Sequence, residues 1–313
     1  MNFFNNNTRE QTIIGIDHGY GNIKTANFCF KAGVAAFDQE PTFNNNLLVY
    51  NDRYYIIGEE HKEFTADKMR DMDYYILTLA AIACELDHRE AYSAHVRIAA
   101  GLPLTWVGRQ KESFKQYLLQ NERVDFIFRG TEYRVTFTGA DIYPQGFAAI
   151  AETLHGFKGV NMLADIGNGT MSIMYINECR PQEKKCFTEK YGTHQCTLAV
   201  RENLMKLYGV VIEDSLIEHV IRYGTAEVAD KYLNAIREAA TEYVDGIFRK
   251  LREREYNPEL MRLYVVGGGS CLIKHFSQHD DGRITILDDI SATAKGYEFL
   301  AELQSRRQEE HHE

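Results

Sequence analysis

Several features that mark membrane, secreted or fibrous proteins are missing from this chain of 313 residues. No stretch approaches 18 consecutive apolar residues, so the sequence predicts no membrane-spanning helix. The first ten residues, MNFFNNNTRE, lack a basic region followed by an apolar segment, and we therefore expect no signal peptide. Only 5 residues are proline, and with 44% hydrophobic and 26% charged residues the composition is that of a globular protein.

Cysteines are few and scattered, with no C-x-x-C pair and no cluster with histidine. Isolated cysteines of this kind are typical of reduced proteins, in which the thiol packs as a small apolar group. We therefore expect a cytoplasmic protein without disulfides or cysteine-bound metal. The six are Cys29, Cys84, Cys179, Cys186, Cys196 and Cys271.

Positive charge is also scarce, because 35 Lys and Arg residues stand against 45 Asp and Glu residues, a formal net charge of −10. The one basic run, residues 249–254, is interrupted by Leu251 and Glu253 and is typical of a solvated helix face. An acidic chain is repelled by phosphate backbones. We therefore expect no direct binding of nucleic acid.

A repeated pattern divides the chain into two halves. Residues 17–21 (DHGYG) and 165–169 (DIGNG) share the form D-x-G-x-G, and each lies between two short apolar strands. At average glycine usage, about 0.1 such patterns are expected by chance in a chain of this length. Their separation is too long for a solenoid repeat, so the pattern predicts two related domains, each large enough for its own core.

Each repeated turn suits a phosphate group that is held together with a magnesium ion. Two glycines allow successive backbone N–H groups to point at one anion and let it approach closely. A carboxylate such as Asp17 or Asp165 repels a bare phosphate, but it fits if hydrated Mg²⁺ lies between them. Lys24, on the strand that leaves the first turn, would neutralise terminal phosphates as a point charge. The alternative is two ordinary β-hairpins with turn-favouring Asp and Gly.

The remaining pattern alternates helices with short strands and predicts an α/β fold. Pro144 is expected to begin a helix, since proline fits the first helical turn. The strand over 262–266 ends at Gly267-Gly268-Gly269, where a loop without side chains would let an adenosine lie against the backbone; a simple strand-to-helix turn explains it equally well. Helices are predicted over residues 67–88, 108–121, 144–155, 193–208, 214–222, 226–255 and 291–307.

Taken in order, these motifs resemble the actin-like ATPase superfamily and, within it, plasmid-segregation actins of the ParM/StbA type. The resemblance implies two actin-like (ribonuclease H-like) domains with a nucleotide cleft between them. Domain I would span 1–158, with the C-terminal helix 291–308 packed back on it, domain II 159–290, and 309–313 would be a flexible tail. The matching segments are GIDHGYGNIKT (15–25), AGLPLTW (100–106), DIYPQGFAAI (141–150), LADIGNGTMSI (163–173), EKYG (189–192), YVVGGG (264–269) and SATAKGYEFL (291–300).

The resemblance also implies site residues for ATP, with GTP as the alternative, and Mg²⁺. Asp17 and Asp165 would hold Mg²⁺ through water. Gln145 takes the place of the water-orienting residue, which is Glu in ParM and Gln in muscle-type actins. A glutamine amide is no general base at pH 7, but it can hold the attacking water in line, which predicts slow hydrolysis. The alternative for Gln145 is a surface position in a first helical turn. The first phosphate loop would be Gly19, Tyr20, Gly21, Asn22 and Lys24; the second Gly167, Asn168, Gly169 and Thr170; and Gly267, Gly268 and Gly269 would contact adenosine.

The function implied by the resemblance is a head-to-tail filament that assembles with Mg-ATP. Its cargo would be plasmid or mobile-element DNA, reached through a DNA-binding adaptor. One alternative is a small-molecule kinase, for which Asp141 is the acid nearest Gln145 in sequence. The other is a non-polymerising nucleotide-binding scaffold, although the charged residues 305–313 offer no apolar stripe for a membrane. His18, inside the first turn, is expected to face solvent; the alternative is that it titrates near the phosphates.

Overall fold

A computed structural model of the protein describes residues 11–42, 45–59, 68–279 and 282–310. The chain divides into two compact units. Unit 1 comprises the described residues of Met1–Leu102, Arg109–Tyr143 and Tyr297–Glu313, and unit 2 comprises those of Pro103–Gly108 and Pro144–Gly296. The expectations about a signal peptide in residues 1–10 and about the last residues of a tail, 311–313, lie outside the described residues.

Unit 1 is built on a mixed sheet in which nine strands of the described chain take part, in the order β3-β2-β1-β7-β9-β8-β5-β6-β4. Strand β1 pairs antiparallel with β2 and parallel with β7. The strands are β1 Gln11–His18, β2 Asn22–Lys24, β3 Cys29–Lys31, β4 Val34–Phe37, β5 Leu47–Tyr50, β6 Arg53–Ile57, β7 Ser93–Leu102, β8 Arg123–Phe128 and β9 Thr131–Pro144.

The first helix, α1 (Asp73–His88), is buried along most of its length, since every residue from 74 to 86 is buried. Its sequence is apolar on all sides, which is the pattern of a helix enclosed by a core. The first residue of the helix predicted over 67–88 lies outside the described residues, and the helix begins at Asp73. A second helix, α2, spans Leu104–Leu118.

Unit 2 contains a five-stranded sheet in the order β12-β11-β10-β13-β14. Strands β10, β11 and β12 are antiparallel, whereas β10, β13 and β14 run parallel. Apolar clusters pack on both faces of the sheet, which explains why strand β10 is apolar almost throughout. The elements from Val160 onward are β10 Val160–Ile166, β11 Met171–Asn177, β12 Arg180–Glu189, α3 Thr193–Tyr208, α4 Asp214–Tyr223, α5 Asp230–Glu253, β13 Arg262–Val266, α6 Ser270–Phe276, β14 Ile284–Ile286 and α7 Ala292–Glu310, which passes from unit 2 into unit 1 at Tyr297.

The two units share one arrangement of strands. In unit 1 the hairpin β1–β2 lies beside the parallel strand β7, and in unit 2 the hairpin β10–β11 lies beside the parallel strand β13. Each D-x-G-x-G turn connects the two strands of its hairpin. The predicted α/β fold with two related units is therefore confirmed.

Helix α7 ends in unit 1, where it is attached to the central strands. Glu298 accepts a hydrogen bond from the backbone N–H of Gly15 in β1 (2.9 Å). Tyr297 stacks on Tyr143 of β9, and it occupies the space beside Gly101, where a Cβ would lie 1.9 Å from the Tyr297 hydroxyl oxygen. The helix thus fixes the strand that leads into the first turn.

The helix predicted to begin at Pro144 does not form. Pro144 is instead the last residue of β9, and two short 3₁₀ helices follow, Ala148–Ile150 and Leu154–Gly156. Gly146 has a φ of +72°, which lies outside the right-handed helical region. The hydrogen bonds here join residues three apart, such as Ile150 N to Phe147 O at 3.2 Å.

Two other expectations concern the whole chain. No disulfide joins any of the six cysteines, all of which lie in the described residues. None of the helices described here combines the length and the apolar character needed to cross a bilayer.

Candidate functional site

The first turn is closed by backbone hydrogen bonds and has charged side chains at its base. The N–H of Gly19 donates to the Asp17 carbonyl at 3.0 Å. Gly19 is required here, because a Cβ would lie 2.5 Å from the Asn22 carbonyl oxygen. Lys24, the cross-strand partner of Asp17, places its Nζ 3.5 Å from Asp17 Oδ2. Lys24 is therefore an ion-pair partner of the carboxylate at the base of the turn.

The expectation that His18 faces solvent is wrong. His18 is fully buried, with its ring edge-on to Tyr74 and Phe114. As the last residue of β1, it follows the alternation of Ile14 and Ile16 and therefore points to the same face of the sheet. The sequence interpretation treated it as a turn residue, but the strand extends one residue past Asp17.

His18 is neutral in the folded protein. Burial, together with the charge of Lys68, lowers the pKa of His18 from 6.5 to about 3. Its Nε2 lies 2.8 Å from Thr78 Oγ1, and that hydroxyl donates to the Tyr74 carbonyl at 2.6 Å. Because the hydroxyl proton is used there, Thr78 accepts from His18, and the imidazole proton resides on Nε2.

Lys68 also belongs to the first turn, and sequence reasoning missed it. It is buried, and its Nζ donates a hydrogen bond to the His18 carbonyl at 2.5 Å. The ammonium lies 5.5 and 5.6 Å from the ring centroids of Tyr20 and Tyr74. Burial lowers the pKa of Lys68 to about 8, while the Asp17 carboxylate opposes that shift. No local sequence pattern marks this lysine, since only the tertiary fold brings it to the turn.

The second turn lies against the beginning of helix α3. The N–H of Gly167 donates to the Thr170 carbonyl at 2.8 Å and closes the turn. Thr193 N donates to Gly167 O at 3.1 Å, and His194 N donates to Asn168 O at 2.9 Å. The first N–H groups of α3, which need partners outside the helix, therefore bond the carbonyls of the turn.

Gly192 allows this close approach. A Cβ at Gly192 would lie 2.1 Å from Asn168 O and 2.7 Å from the Gly169 carbonyl carbon. The Tyr243 hydroxyl donates to the Gly192 carbonyl at 2.9 Å and holds the segment in place. This packing explains the glycine of the EKYG motif, to which the sequence alone assigned no role.

The triple-glycine loop packs on the residue at the base of the second turn. Gly267 has a φ of +86°, and a Cβ there would lie 2.5 Å from Asp165 Oδ1. Gly269 N donates to the Ile166 carbonyl at 2.8 Å. A Cβ at Gly268 would meet no atom within 4 Å, so its backbone is accessible. The structure thus brings Asp165 and the loop together within unit 2.

Gln145 lies next to Asp165, also within unit 2. A Cβ at the neighbouring Gly146 would be 2.9 Å from Asp165 Cβ, so the backbone after Gln145 touches the aspartate. Both residues line a small cavity of about 10 Å³, roughly the size of one water molecule, with Ser172 and Thr188. Ser172 and Thr188 follow Asp165 in one row across neighbouring strands.

The sequence predicts a Mg²⁺ ion that is held by few protein ligands. Among the residues described, no group of three or more His, Cys, Asp or Glu side chains is arranged to hold a metal ion. Mg²⁺ keeps several waters and typically takes one or two carboxylates together with substrate phosphates. Asp17 and Asp165 each provide one carboxylate beside a glycine turn, which fits that kind of binding.

Two family models match the chain. The N-terminal domain of actin-like proteins matches residues 15–147, and the C-terminal domain of archaeal MreB-like actin homologues matches residues 163–278. The first region contains the turn at Asp17 and Gln145, and the second contains the turn at Asp165 and the triple-glycine loop. No curated protein sequence is significantly similar to this chain.

Solved structures of actin homologues share the fold at low sequence identity. The apo ParM protein of pSK41 has a TM-score of 0.73 at 16% identity, covering 96% of this chain and 99% of its own. The archaeal actin homologue Ta0583, in complex with ADP, has a TM-score of 0.71 at 19% identity, with 93% and 99% covered. The Alp12 filament structure has a TM-score of 0.68 at 15% identity, with 94% and 99% covered. These structures show the shared fold, and the two family models, which match residues 15–147 and 163–278, show that the chain belongs to the actin-like superfamily, as the order of its sequence motifs predicted.

Proposed function

We propose that this protein is an actin-like ATPase that binds Mg-ATP through its two glycine turns and assembles into filaments. The observation that carries the proposal is the presence, in both units, of the same hairpin with an aspartate at the base of a glycine turn. An ordinary β-hairpin needs neither the acidic residue nor its repetition. A Mg-polyphosphate needs both, since the glycine turns receive phosphate and the carboxylates bind hydrated Mg²⁺.

In this proposal, Asp17 and Asp165 hold Mg²⁺ through water. The open backbone at Gly268 supports binding of the nucleoside by the triple-glycine loop. We propose ATP rather than GTP, because a structural relative was solved with ADP. The phosphates would be bound by Gly19, Tyr20, Gly21, Asn22 and Lys24 and by Gly167, Asn168, Gly169 and Thr170, and the adenosine by Gly267, Gly268 and Gly269.

Gln145 is proposed to orient the water that attacks the terminal phosphate. Its location beside Asp165, on a cavity of about 10 Å³, supports this role. Because the amide positions the water and accepts no proton, hydrolysis would be slow.

Self-association and DNA segregation complete the proposal. Alp12, a relative by fold, was solved as a filament, which supports head-to-tail assembly of this chain. We propose that the filament moves plasmid or mobile-element DNA in the cytoplasm. The net charge of −10 favours an adaptor protein as the DNA-binding partner over direct contact.

The kinase alternative is weakened by the position of its candidate base. Both oxygens of Asp141 accept hydrogen bonds from Arg97, Oδ2 from Nε at 2.6 Å and Oδ1 from Nη2 at 3.0 Å. This bidentate pair joins β7 to β9 and occupies both carboxylate oxygens, which is a structural role.

The proposal is tested by light scattering of the purified chain with Mg-ATP, Mg-ADP and no nucleotide. We expect scattering to rise with Mg-ATP, and Asp165→Ala to abolish both the rise and Mg-dependent nucleotide binding while its circular dichroism spectrum is retained. Nucleotide binding without any rise would favour the scaffold alternative. Normal ATP hydrolysis by Asp165→Ala would refute the role of the two turns.

A further inference from the structure

Lys68 is an unusual charged residue of unit 1, because its ammonium is buried. Only 1% of the residue is exposed. The ammonium meets the His18 carbonyl at 2.5 Å and the faces of two tyrosine rings, at 5.5 Å for Tyr20 and 5.6 Å for Tyr74. All three groups belong to the first turn or to the helix beneath it.

Such a position is costly for the fold. Removing an ammonium from water carries a penalty of several kcal/mol, and a carbonyl and two ring faces return only part of it. A methionine of similar length would fill the same space without that penalty. A requirement for fold stability alone therefore does not explain a lysine here.

The charges around the turn indicate what the lysine adds. Asp17 carries one negative charge, and Lys24 already forms an ion pair with it at 3.5 Å. With Lys68 the group of three charged side chains, Asp17, Lys24 and Lys68, has a formal charge of +1, and without Lys68 the charge is zero. A turn with excess positive charge attracts an anion.

The geometry indicates how the lysine acts. The carbonyl that it binds belongs to His18, the residue directly before Gly19. Fixing that carbonyl fixes the peptide plane whose N–H belongs to Gly19, the first residue of the proposed phosphate loop. The ammonium therefore constrains the backbone at the point where the loop begins.

We propose that Lys68 is a positioning residue of the first phosphate turn, which it holds in shape and supplies with a second positive charge for the terminal phosphates of a nucleotide. This inference rests on the proposed function. It assigns Lys68 a role in nucleotide affinity that is separate from the stability of the fold.

The test compares Lys68→Met, Lys68→Arg and a matched control in the full-length protein. The control is Lys231→Met, since Lys231 also lies over two tyrosine rings, at 4.7 Å for Tyr232 and 5.8 Å for Tyr208, but is exposed. Calorimetry gives the Kd of Mg-ATP, and thermal unfolding without nucleotide gives Tm. We expect Lys68→Met to keep or raise Tm. The Kd of Mg-ATP should rise roughly tenfold or more, which is the effect of losing a charge-assisted hydrogen bond.

The other variants separate charge from packing. Lys231→Met should bind like the wild type, and Lys68→Arg, which keeps the charge, should recover most of the affinity lost in Lys68→Met. Wild-type affinity in Lys68→Met would overturn the inference, and so would a folded Lys68→Arg that binds as weakly as Lys68→Met. If Lys68→Met does not fold, the inference is overturned as well, because the lysine is then structural. If the wild type itself binds no nucleotide, the proposed function fails and this inference fails with it.

Discussion

Replacing Gly192 by alanine tests the packing behind the second turn. The new Cβ would lie 2.1 Å from Asn168 O, 2.4 Å from Asn168 C and 2.7 Å from Gly169 C. All three are backbone atoms of the turn, so no flexible side chain can move aside. Gly192 itself has a φ of −100°, which alanine adopts without strain. The effect of the substitution is therefore steric alone.

The magnitude follows from this overlap. Overpacking a well-packed region costs about 1–3 kcal/mol, and backbone neighbours place Gly192→Ala towards the upper end. For a unit of this size, each kcal/mol lowers Tm by roughly 2–4 °C, so we expect a fall of roughly 5 °C or more. The displaced atoms belong to Asn168 and Gly169, which we propose as phosphate contacts. The Kd of Mg-ATP should therefore rise as well.

The assay is thermal unfolding with and without Mg-ATP, and Gly108→Ala is the control. A Cβ at Gly108, in helix α2, meets no atom within 4 Å. Alanine is a better helix former than glycine, by about 0.5–1 kcal/mol of stability. The Tm of Gly108→Ala should therefore equal or exceed that of the wild type. If Gly192→Ala has the same Tm and the same Kd for Mg-ATP as the wild type, then α3 does not pack against the second turn as described.

Two further predictions concern His18 and Gln145. The pKa of His18 is about 3 in the folded protein and 6.5 in the unfolded chain. As pH drops, the unfolded chain therefore binds the proton first. The free energy of unfolding then falls between about pH 6.5 and pH 3, by up to roughly 1.4 kcal/mol per pH unit. His18→Gln should flatten the dependence of Tm on pH in this window, and an unchanged slope would contradict the buried neutral imidazole. Gln145→Ala should slow phosphate release in a single-turnover assay while the Kd of Mg-ATP stays within a few fold; equal losses in both would place Gln145 in structure rather than catalysis.

The repeated turns could be recognised from sequence because their constraints are local. A strand that ends in Asp and two glycines specifies its own hairpin, and the same pattern in both halves predicts two related units. The structure contains both hairpins, each beside a parallel strand. The motif order was likewise enough to identify the superfamily.

Pro144 and His18 show where local patterns misled. Proline is compatible with both a strand end and a first helical turn, and the positive φ of Gly146 decided between them. His18 was interpreted as a turn residue, although its side chain faces the core. For His18, a shift of one residue in the strand boundary changed the environment of the side chain, whereas at Pro144 the predicted helix is replaced by a strand end and two short 3₁₀ helices.

The sequence by itself determined the α/β class, the duplication, the superfamily and the residues proposed to bind nucleotide, because each depends on neighbours along the chain. Only the tertiary structure decided that Lys68 lies on the His18 carbonyl, that Gly192 supports Asn168, and that the triple-glycine loop packs on Asp165. These contacts join segments that are far apart in sequence. Their distances follow from how strands and helices pack, which no local pattern specifies.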